Sequence, residues 1–274
     1  MPMRLWGIAI VLFAAACQQQ ARQPARPVET MFDGTGVTSA AAQRAHGERL
    51  THVLGCTGCH GAGLTGRNFA ADHPEYGPLY ASNLTLVLPH YSDAQIEALL
   101  RTGVHPERKT VWGMPSEIFQ HLSTADMTAL VAYLRTLRPA GRLTPPPQFS
   151  VQDKKEIAAG LYKPAVQGVR ETRTVLPTDT GPQYALGRYI TEVTCAECHG
   201  PKLEGRPGDT PNLIVAGGYD RAEFARLITQ GIPTGNRKLK PLMVDVARTR
   251  FSHLTPHERD ALYAYLKARA EQPQ

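Results

Sequence analysis

The stretch CTGCH occupies residues 56–60, and a second stretch of the same form, CAECH, occupies residues 195–199. Each has two cysteines three positions apart, followed at once by a histidine. The chain has 5 cysteines, and the remaining one, Cys17, lies close to its start. One such match could arise by chance, whereas two in a chain with so few cysteines indicate a shared chemical role.

The spacing is compatible with several kinds of site. A zinc ion could take four cysteines, yet such a site gives no role to a histidine that follows each pair. Two disulfides within CxxC would close small strained loops, and a thioredoxin-like redox pair needs a βαβ context that the sequence lacks. Covalent haem attachment uses every residue of the motif, because two thiols add to the vinyl groups and the histidine binds the iron.

The sequence therefore predicts two covalently bound haem c groups. Their attachment residues are Cys56, Cys59 and His60 for the first group and Cys195, Cys198 and His199 for the second.

The sequence around the two motifs repeats, which indicates two units of similar fold. Upstream, AHGERLTHVLGCTGCHG resembles ALGRYITEVTCAECHG, and Gly47 or Gly187 would let another helix approach closely. Midway, SDAQIEALLRTGV matches DRAEFARLITQGI, each with a capping box at its start and a glycine at its end. Further on, LSTADMTALVAYLRTL matches LTPHERDALYAYLKAR. Each unit is predicted to be helix, CxxCH, loop, helix, loop and terminal helix.

This arrangement resembles class I cytochrome c in duplicate, over about residues 40–138 and 182–270. The resemblance implies an all-α fold of two tandem cytochrome c-like domains with long loops, joined by a linker that we expect to be irregular. The expected divisions are a signal peptide over 1–16, a flexible tether over 17–38, domain 1 over 39–139, the linker over 140–181 and domain 2 over 182–274.

The resemblance also implies a methionine as the second axial ligand, between the middle and terminal helices. Met243 is the sole methionine of the second unit, and Met114, in VWGMP, has the matching place in the first. Met127 belongs to an apolar helical stripe and is interpreted as core. His/Met ligation fills both axial positions at a relatively high potential, which favours electron transfer over peroxide chemistry. The rival ligands are His105, His121, His253 and His257.

Further haem contacts follow from the same resemblance. A proline carbonyl is expected to accept the N–H of the iron-binding histidine, from Pro211 in the second unit and from Pro78 in the first. Asn83 and Trp112 are candidates for hydrogen bonds to haem propionates. Loop packing is the alternative role for each of these residues.

The first residues, MPMRLWGIAIVLFAAAC, have one arginine, an apolar run and small residues before Cys17, as is typical of a secretory signal. The run is too short for a comfortable membrane span. Cys17 resembles the lipidated cysteine of bacterial lipoproteins, but Ala14 stands where such proteins usually have leucine, so cleavage at an A-x-A site stays open. We expect a periplasmic protein, anchored to the membrane by a lipid on Cys17.

The formal net charge of +6 does not indicate nucleic-acid binding, because the lysines and arginines are dispersed and export leads away from nucleic acid. We expect no nucleic-acid partner.

The strings GPLYASNLT, IEALLRTGV and GMP look like the cytochrome subunits of membrane-bound periplasmic alcohol, aldehyde and gluconate-type dehydrogenases. Those subunits generally carry three haems, so two CxxCH motifs leave open whether this chain is a subunit or a standalone carrier. The resemblance implies a carrier between a periplasmic dehydrogenase and a cytochrome or terminal oxidase, not an enzyme. The alternative is a dihaem peroxidase or thiosulfate-oxidising cytochrome. A methionine in each unit and no spare cysteine argue against both enzymes.

Overall fold

The computed structural model of the chain describes residues 29–36 and 39–272. Within that part of the chain the regular elements are thirteen α-helices, short 3₁₀ turns and one π-helical segment, and strand pairing is limited to isolated bridges. The all-α prediction is therefore confirmed. None of the described helices is both long and apolar enough to cross a membrane. The predicted signal peptide and Cys17 lie outside the described residues.

The first unit has six α-helices. They are α1 (Ala40–Val53), α2 (Cys56–His60), α3 (Leu84–Val87), α4 (Asp93–Thr102), α5 (Ser116–Phe119) and α6 (Thr124–Leu134). α1 and α6 approach closely at Gly47, where an added Cβ would lie 2.0 Å from Ala129 O. Ser92 and Gln95 form the predicted capping box of α4, and Gly103 ends that helix with a φ of 71°. The predicted order of helices is confirmed, with α3 and α5 as additional short helices in the loops.

The second unit repeats this plan. Its helices are α9 (Ala185–Ile190), α10 (Ala196–His199), α11 (Arg221–Gln230), α12 (Pro241–Thr249) and α13 (Pro256–Ala270). A π-helical segment, Thr191–Cys195, joins α9 to α10. Gly187 has the role of Gly47, because a Cβ there would lie 2.1 Å from Ala261 O of α13. The stretch between α11 and α13, expected to be loop, contains α12, which starts with Pro241 in its first turn.

The linker is predicted to be irregular, and this is wrong in part. It contains α7 (Val151–Ala158) and α8 (Ala165–Thr172). Ser150 and Asp153 form a capping box that starts α7, a signal present in the sequence. α8 packs against α5, and its Val169 is only 3% exposed. Such short helices are marginal alone, so tertiary contacts with the first unit stabilise them and a periodicity search misses them.

The two units contact each other through reciprocal pairs of residues. Arg49 follows Gly47 of α1 by two positions, and its Nη1 lies 2.7 Å from Glu258 Oε2 at the start of α13. Tyr189 follows Gly187 of α9 by two positions, and its hydroxyl donates to Asp126 Oδ2 at the start of α6 over 2.8 Å. The units are therefore related by an approximate twofold axis, and one hydrophobic core runs through both.

Residues 29–36 lie across this interface. Phe32 is 1% exposed, and its N–H donates to Asp126 Oδ2 over 3.0 Å. The next N–H, of Asp33, donates to Glu258 Oε1 over 2.9 Å. This part of the predicted tether is packed against both units, contrary to the expectation of a flexible segment, because its backbone donors satisfy two buried carboxylates. Residues 17–28 and 37–38 of the tether lie outside the described residues.

Candidate haem sites

The first CxxCH motif forms one wall of a cleft in the first unit. Its helix, α2, lies between Gly55 and Gly61, whose φ angles of 80° and 81° favour glycine. The cleft brings the motif together with Met114 of the loop between α4 and α5. Its lining includes Cys56, Cys59, His60 and Met114, with apolar walls from Leu84, Leu88, Ile96, Leu100, Phe119 and Leu130.

This set of groups fits a haem. Two thiols lie beside an imidazole, a thioether is present in the same cleft, and the walls between them are apolar. A thiol pair can bind the porphyrin edge covalently, while the imidazole and thioether are ligands that iron accepts in cytochromes c.

His60 is held by a single carbonyl oxygen. Its Nδ1 lies 2.8 Å from Ser82 O. Burial lowers the pKa of His60, while the hydrogen bond to Ser82 acts in the opposite direction. A neutral imidazole that donates from Nδ1 has a free lone pair on Nε2, the form that a metal ion requires. The expectation that Pro78 supplies this carbonyl is wrong, because Pro78 O accepts from the linker residue Gln148 over 3.0 Å.

The second motif has the same geometry around its histidine. His199 Nδ1 lies 2.8 Å from Pro211 O, the contact that the resemblance implies. Burial is the largest influence on the pKa of His199 and lowers it, which favours the neutral ring. The loops after the two motifs also match, because Gly66 N donates to His60 O and Gly205 N donates to His199 O, each over 2.8 Å.

The four motif cysteines form no disulfide with one another. Burial raises the pKa of Cys56 to about 12 and that of Cys59 and Cys198 to about 11, and it raises the pKa of Cys195 as well. Their burial suits covalent attachment to the apolar edge of a porphyrin. Among residues 29–36 and 39–272, no three His, Cys, Asp or Glu side chains converge as a metal site.

Met243 lies in the first turn of α12 and is half-buried against the core of the second unit. The four rival histidines have other contacts. The ring of His105 lines the first cleft, but its Nδ1 accepts from the backbone N–H groups of two residues that follow it. His121 pairs with Glu192, His253 stacks on His52, and His257 pairs with Asp33.

The structure separates the two candidates for propionate contacts. Asn83 is fully buried, and its Nδ2 donates to Ala140 O and Arg142 O over 2.7 and 3.1 Å, which uses both amide hydrogens. Its side chain therefore anchors the linker and has no donor left for a propionate. Trp112 lines the first cleft and packs against Phe149 and Tyr162, with ring centroids 5.5 and 5.3 Å apart.

Two charged residues of the first cleft are not predicted from the sequence. Arg108 lines it and donates to Ser82 Oγ over 3.2 Å. Glu197, which belongs to the second CxxCH motif, lines it as well. No local pattern could identify Glu197, because its place in the first cleft depends on how the two units pack.

Two tandem helical units, each with a CxxCH motif and a histidine held by a carbonyl, define a c-type cytochrome of two domains. Residues 45–138 match the family described as cytochrome c, and residues 182–266 match the family described as cytochrome c oxidase, cbb3-type, subunit III. The chain is therefore a dihaem c-type cytochrome with two covalently bound haem c groups, an electron-transfer protein.

Three relatives are informative. A diheme cytochrome c-type protein of Cereibacter sphaeroides is 27% identical, over 95% of this chain and 96% of the relative. The fructose dehydrogenase cytochrome subunit of Gluconobacter japonicus is 25% identical, over 73% of this chain and 42% of the subunit. A nicotinate dehydrogenase subunit of Pseudomonas putida is 26% identical, over 83% of this chain and 19% of that protein. The chain thus spans nearly all of the first relative and less than half of the other two.

Proposed function

We propose that this protein carries single electrons from a dehydrogenase outside the cytoplasm to a cytochrome or terminal oxidase, and that it catalyses no reaction of its own. The observation that carries this proposal is the first cleft, where His60 and Met114 line the same apolar space. Bound haem supplies an iron ion that accepts and releases one electron. With an imidazole and a thioether as ligands, no position is left for a substrate.

We further propose His60 with Met114 as the axial pair of the first unit, and His199 with Met243 as that of the second. The contacts of the rival histidines support this assignment, because each has another partner. Ser82 O and Pro211 O orient the two iron-binding rings by accepting from Nδ1. The apolar walls of the cleft exclude water, which keeps a haem in surroundings of low polarity.

The proposed partner is a periplasmic dehydrogenase, and two relatives support it by their names as dehydrogenase subunits. Most of the length of those two relatives has no counterpart in this chain, so this chain acts as a separate carrier or as one of several subunits. The proposed domains run over 39–139 and 182–274. The proposed anchor is a lipid on Cys17, which would keep the carrier beside a membrane-bound donor.

The first test is an optical spectrum of the full chain, produced with the haem-attachment machinery, with haem quantified against protein. We expect two haems per chain and the weak red band of methionine-ligated ferric iron at the intensity of two centres. Cyanide and peroxide should leave the spectrum unchanged over short times. A high-spin fraction, a half-intensity band or rapid peroxide turnover would instead support a dihaem peroxidase.

A further inference from the structure

The linker covers one side of the first cleft. Its residue Gln148 donates its N–H to Pro78 O over 3.0 Å, and its residue Ala165 donates its N–H to Val111 O over 2.9 Å. Val111 lines the cleft. The segment 148–165 is therefore held against the first unit at both ends.

Tyr162, in this segment, reaches the loop that contains Met114. A Cβ added to Gly113 would lie 3.1 Å from Tyr162 Oη and 2.9 Å from Phe69 Cζ. Gly113 directly precedes Met114, and both line the cleft. The ring of Tyr162 packs against Trp112, with ring centroids 5.3 Å apart. The hydroxyl group of Tyr162 therefore lies at the wall of the first cleft.

This hydroxyl group is buried and has no hydrogen-bond partner among the described residues. Burial raises the pKa of Tyr162, so the group keeps its hydrogen and acts as a donor. A buried hydroxyl group without a partner reduces stability. An acceptor bound beside it would remove this cost.

A second cavity continues from the cleft at this point. Tyr162 and Thr144 of the linker line it, together with five residues that line both spaces: Phe69, Tyr80, Arg108, Val111 and Trp112. The guanidinium group of Arg108 donates to Ser82 Oγ over 3.2 Å, which is a neutral partner. A cation and a hydroxyl donor therefore line the same space, and this combination suits a carboxylate.

The other titratable groups around the hydroxyl group are Tyr80, Cys59 and Asp153. Asp153 Oδ2 accepts from a backbone N–H in the cap of α7, and its Oδ1 has no partner among the described residues. The negative charge of Asp153 opposes a second anion nearby, and the positive charge of Arg108 offsets this repulsion.

A haem has two propionate carboxylates, at the edge away from its bonds to cysteine. The walls of the first cleft are largely apolar, so a carboxylate held there needs hydrogen-bond donors. Asn83 cannot supply one, because both of its amide hydrogens are used by the linker backbone. The linker side of the cleft offers Tyr162 and Arg108 instead.

We propose that the hydroxyl group of Tyr162 donates a hydrogen bond to one propionate of the first haem, with Arg108 beside the same carboxylate. The linker then completes the first haem site. Tyr162 lies outside both stretches that match cytochrome families, 45–138 and 182–266. The proposal rests on the function given above, with the first haem in the cleft of His60 and Met114. A donated hydrogen bond stabilises the ionised propionate and lowers its pKa.

The test is a redox titration of the full-length holoprotein with the variant Tyr162→Phe, followed optically at several pH values between about 4 and 8. Losing a hydrogen bond to a charged group should raise the pKa of the propionate by about one to two units. Protonation of a propionate removes a negative charge and favours ferrous iron, so the potential rises as the pH falls through this pKa. We therefore expect this rise to move to higher pH for the first haem only.

The second haem is the internal control, and its potential should keep its pH dependence. The wave of the first haem is identified with Met114→His, because replacing methionine by histidine lowers the potential of that centre. Arg108→Gln should move the same rise to higher pH, a result that lost packing around Tyr162 would not give. Tyr76→Phe removes another hydroxyl contact between the first unit and the linker, to Glu156 over 3.0 Å, and should leave both profiles unchanged.

The proposal is overturned if Tyr162→Phe leaves the pH dependence of both potentials unchanged or moves both alike. A loss of stability without any shift would show that Tyr162 only packs or pairs with Asp153. A weakened methionine band in Tyr162→Phe would show that the hydroxyl group acts on Met114, which also overturns it. If Tyr162→Phe fails to fold, Arg108→Gln decides, since Arg108 is exposed and its loss should not prevent folding. A missing methionine band in the unsubstituted protein argues against the proposed axial ligands instead.

Discussion

Tyr189 of the second unit donates its hydroxyl hydrogen to Asp126 of the first over 2.8 Å, and both side chains are buried. The same hydroxyl accepts from the N–H of Ser123 over 3.0 Å. Asp126 also accepts from Phe32 N and lies 2.9 Å from His46 Nε2. One carboxylate therefore connects both units and the segment 29–36. The arrangement ties the relative position of the units to a hydrogen-bond network as well as to apolar contact.

Replacing Tyr189 with phenylalanine should destabilise the protein by about 1–3 kcal/mol, because Asp126 and the N–H of Ser123 then stay buried with one partner fewer. The free energy of unfolding, measured by urea denaturation, tests this. Tyr91→Phe is the control, since its hydroxyl contacts Glu107 at an exposed position and should matter little. Equal effects of the two substitutions would count against a special role for the buried network.

Stability should also depend on pH through Glu192. Burial raises the pKa of Glu192 to about 7, against the opposing attraction of Arg188. His121, the other group facing it, has its pKa lowered by burial. In the unfolded chain a glutamate has a pKa of about 4.3, so the folded protein holds the Glu192 proton more tightly. The contribution of Glu192 to stability is therefore present below about pH 4 and is lost as the pH rises to about 7.

Glu192→Gln should remove this loss and flatten that part of the profile of unfolding free energy against pH. Urea denaturation at several pH values between about 4 and 8 measures it. Glu97→Gln, at an exposed ion pair with Arg101, should leave the shape of the profile unchanged. A profile for Glu192→Gln that is parallel to that of the unsubstituted protein would contradict the expectation.

The helix crossings should not tolerate a side chain. Gly47→Ala and Gly187→Ala would each place a Cβ about 2 Å from a carbonyl oxygen of the terminal helix, so the helices must separate. We expect a loss of about 1–3 kcal/mol or more for each, seen as a lower melting temperature. Gly58→Ala is the control in open space and should cost little. Unchanged melting temperatures of Gly47→Ala and Gly187→Ala would contradict this expectation, because they would show that the helices can move apart at little cost.

The axial ligands can be tested one unit at a time. Met114→Ala and Met243→Ala should each halve the red band of the ferric spectrum and leave two haems attached, since attachment depends on the cysteines. Met127→Leu should keep the full band, because Met127 is a core residue with 1% exposure. If Met243→Ala keeps the full band, another group is the ligand in the second unit.

Local sequence signals predicted much of the helical framework. Helices α4 and α11 begin at the predicted capping boxes of Ser92 and Asp220. They end at the predicted glycines, Gly103 and Gly231. These signals succeed because a capping hydrogen bond joins residues three positions apart and needs no other part of the chain. The same signal is present at Ser150, but the segment after it has little apolar periodicity, and α7 is therefore not predicted from the sequence.

Contacts between distant segments could not be predicted in this way. The resemblance suggested Pro78 as the carbonyl for His60, whereas the structure has Ser82 there and pairs Pro78 with the linker. Asn83 was expected to face a propionate and instead binds the linker backbone. Both differences have one cause, since residues 140–150 fold back over the first unit.

Three features can be predicted from the amino-acid sequence alone: the two attachment motifs, the helices around them and the glycines at which those helices cross. These features depend on spacings of a few residues, which covalent chemistry and local hydrogen bonding fix directly. Other features depend on the tertiary fold: how the units meet, which carbonyl holds His60, and the position of Arg250 and Glu197 between the motifs. Arg250 donates to Val53 O although the two residues are 197 positions apart, and no local rule relates residues at that separation. Their contact follows from the burial of two apolar helix faces against each other.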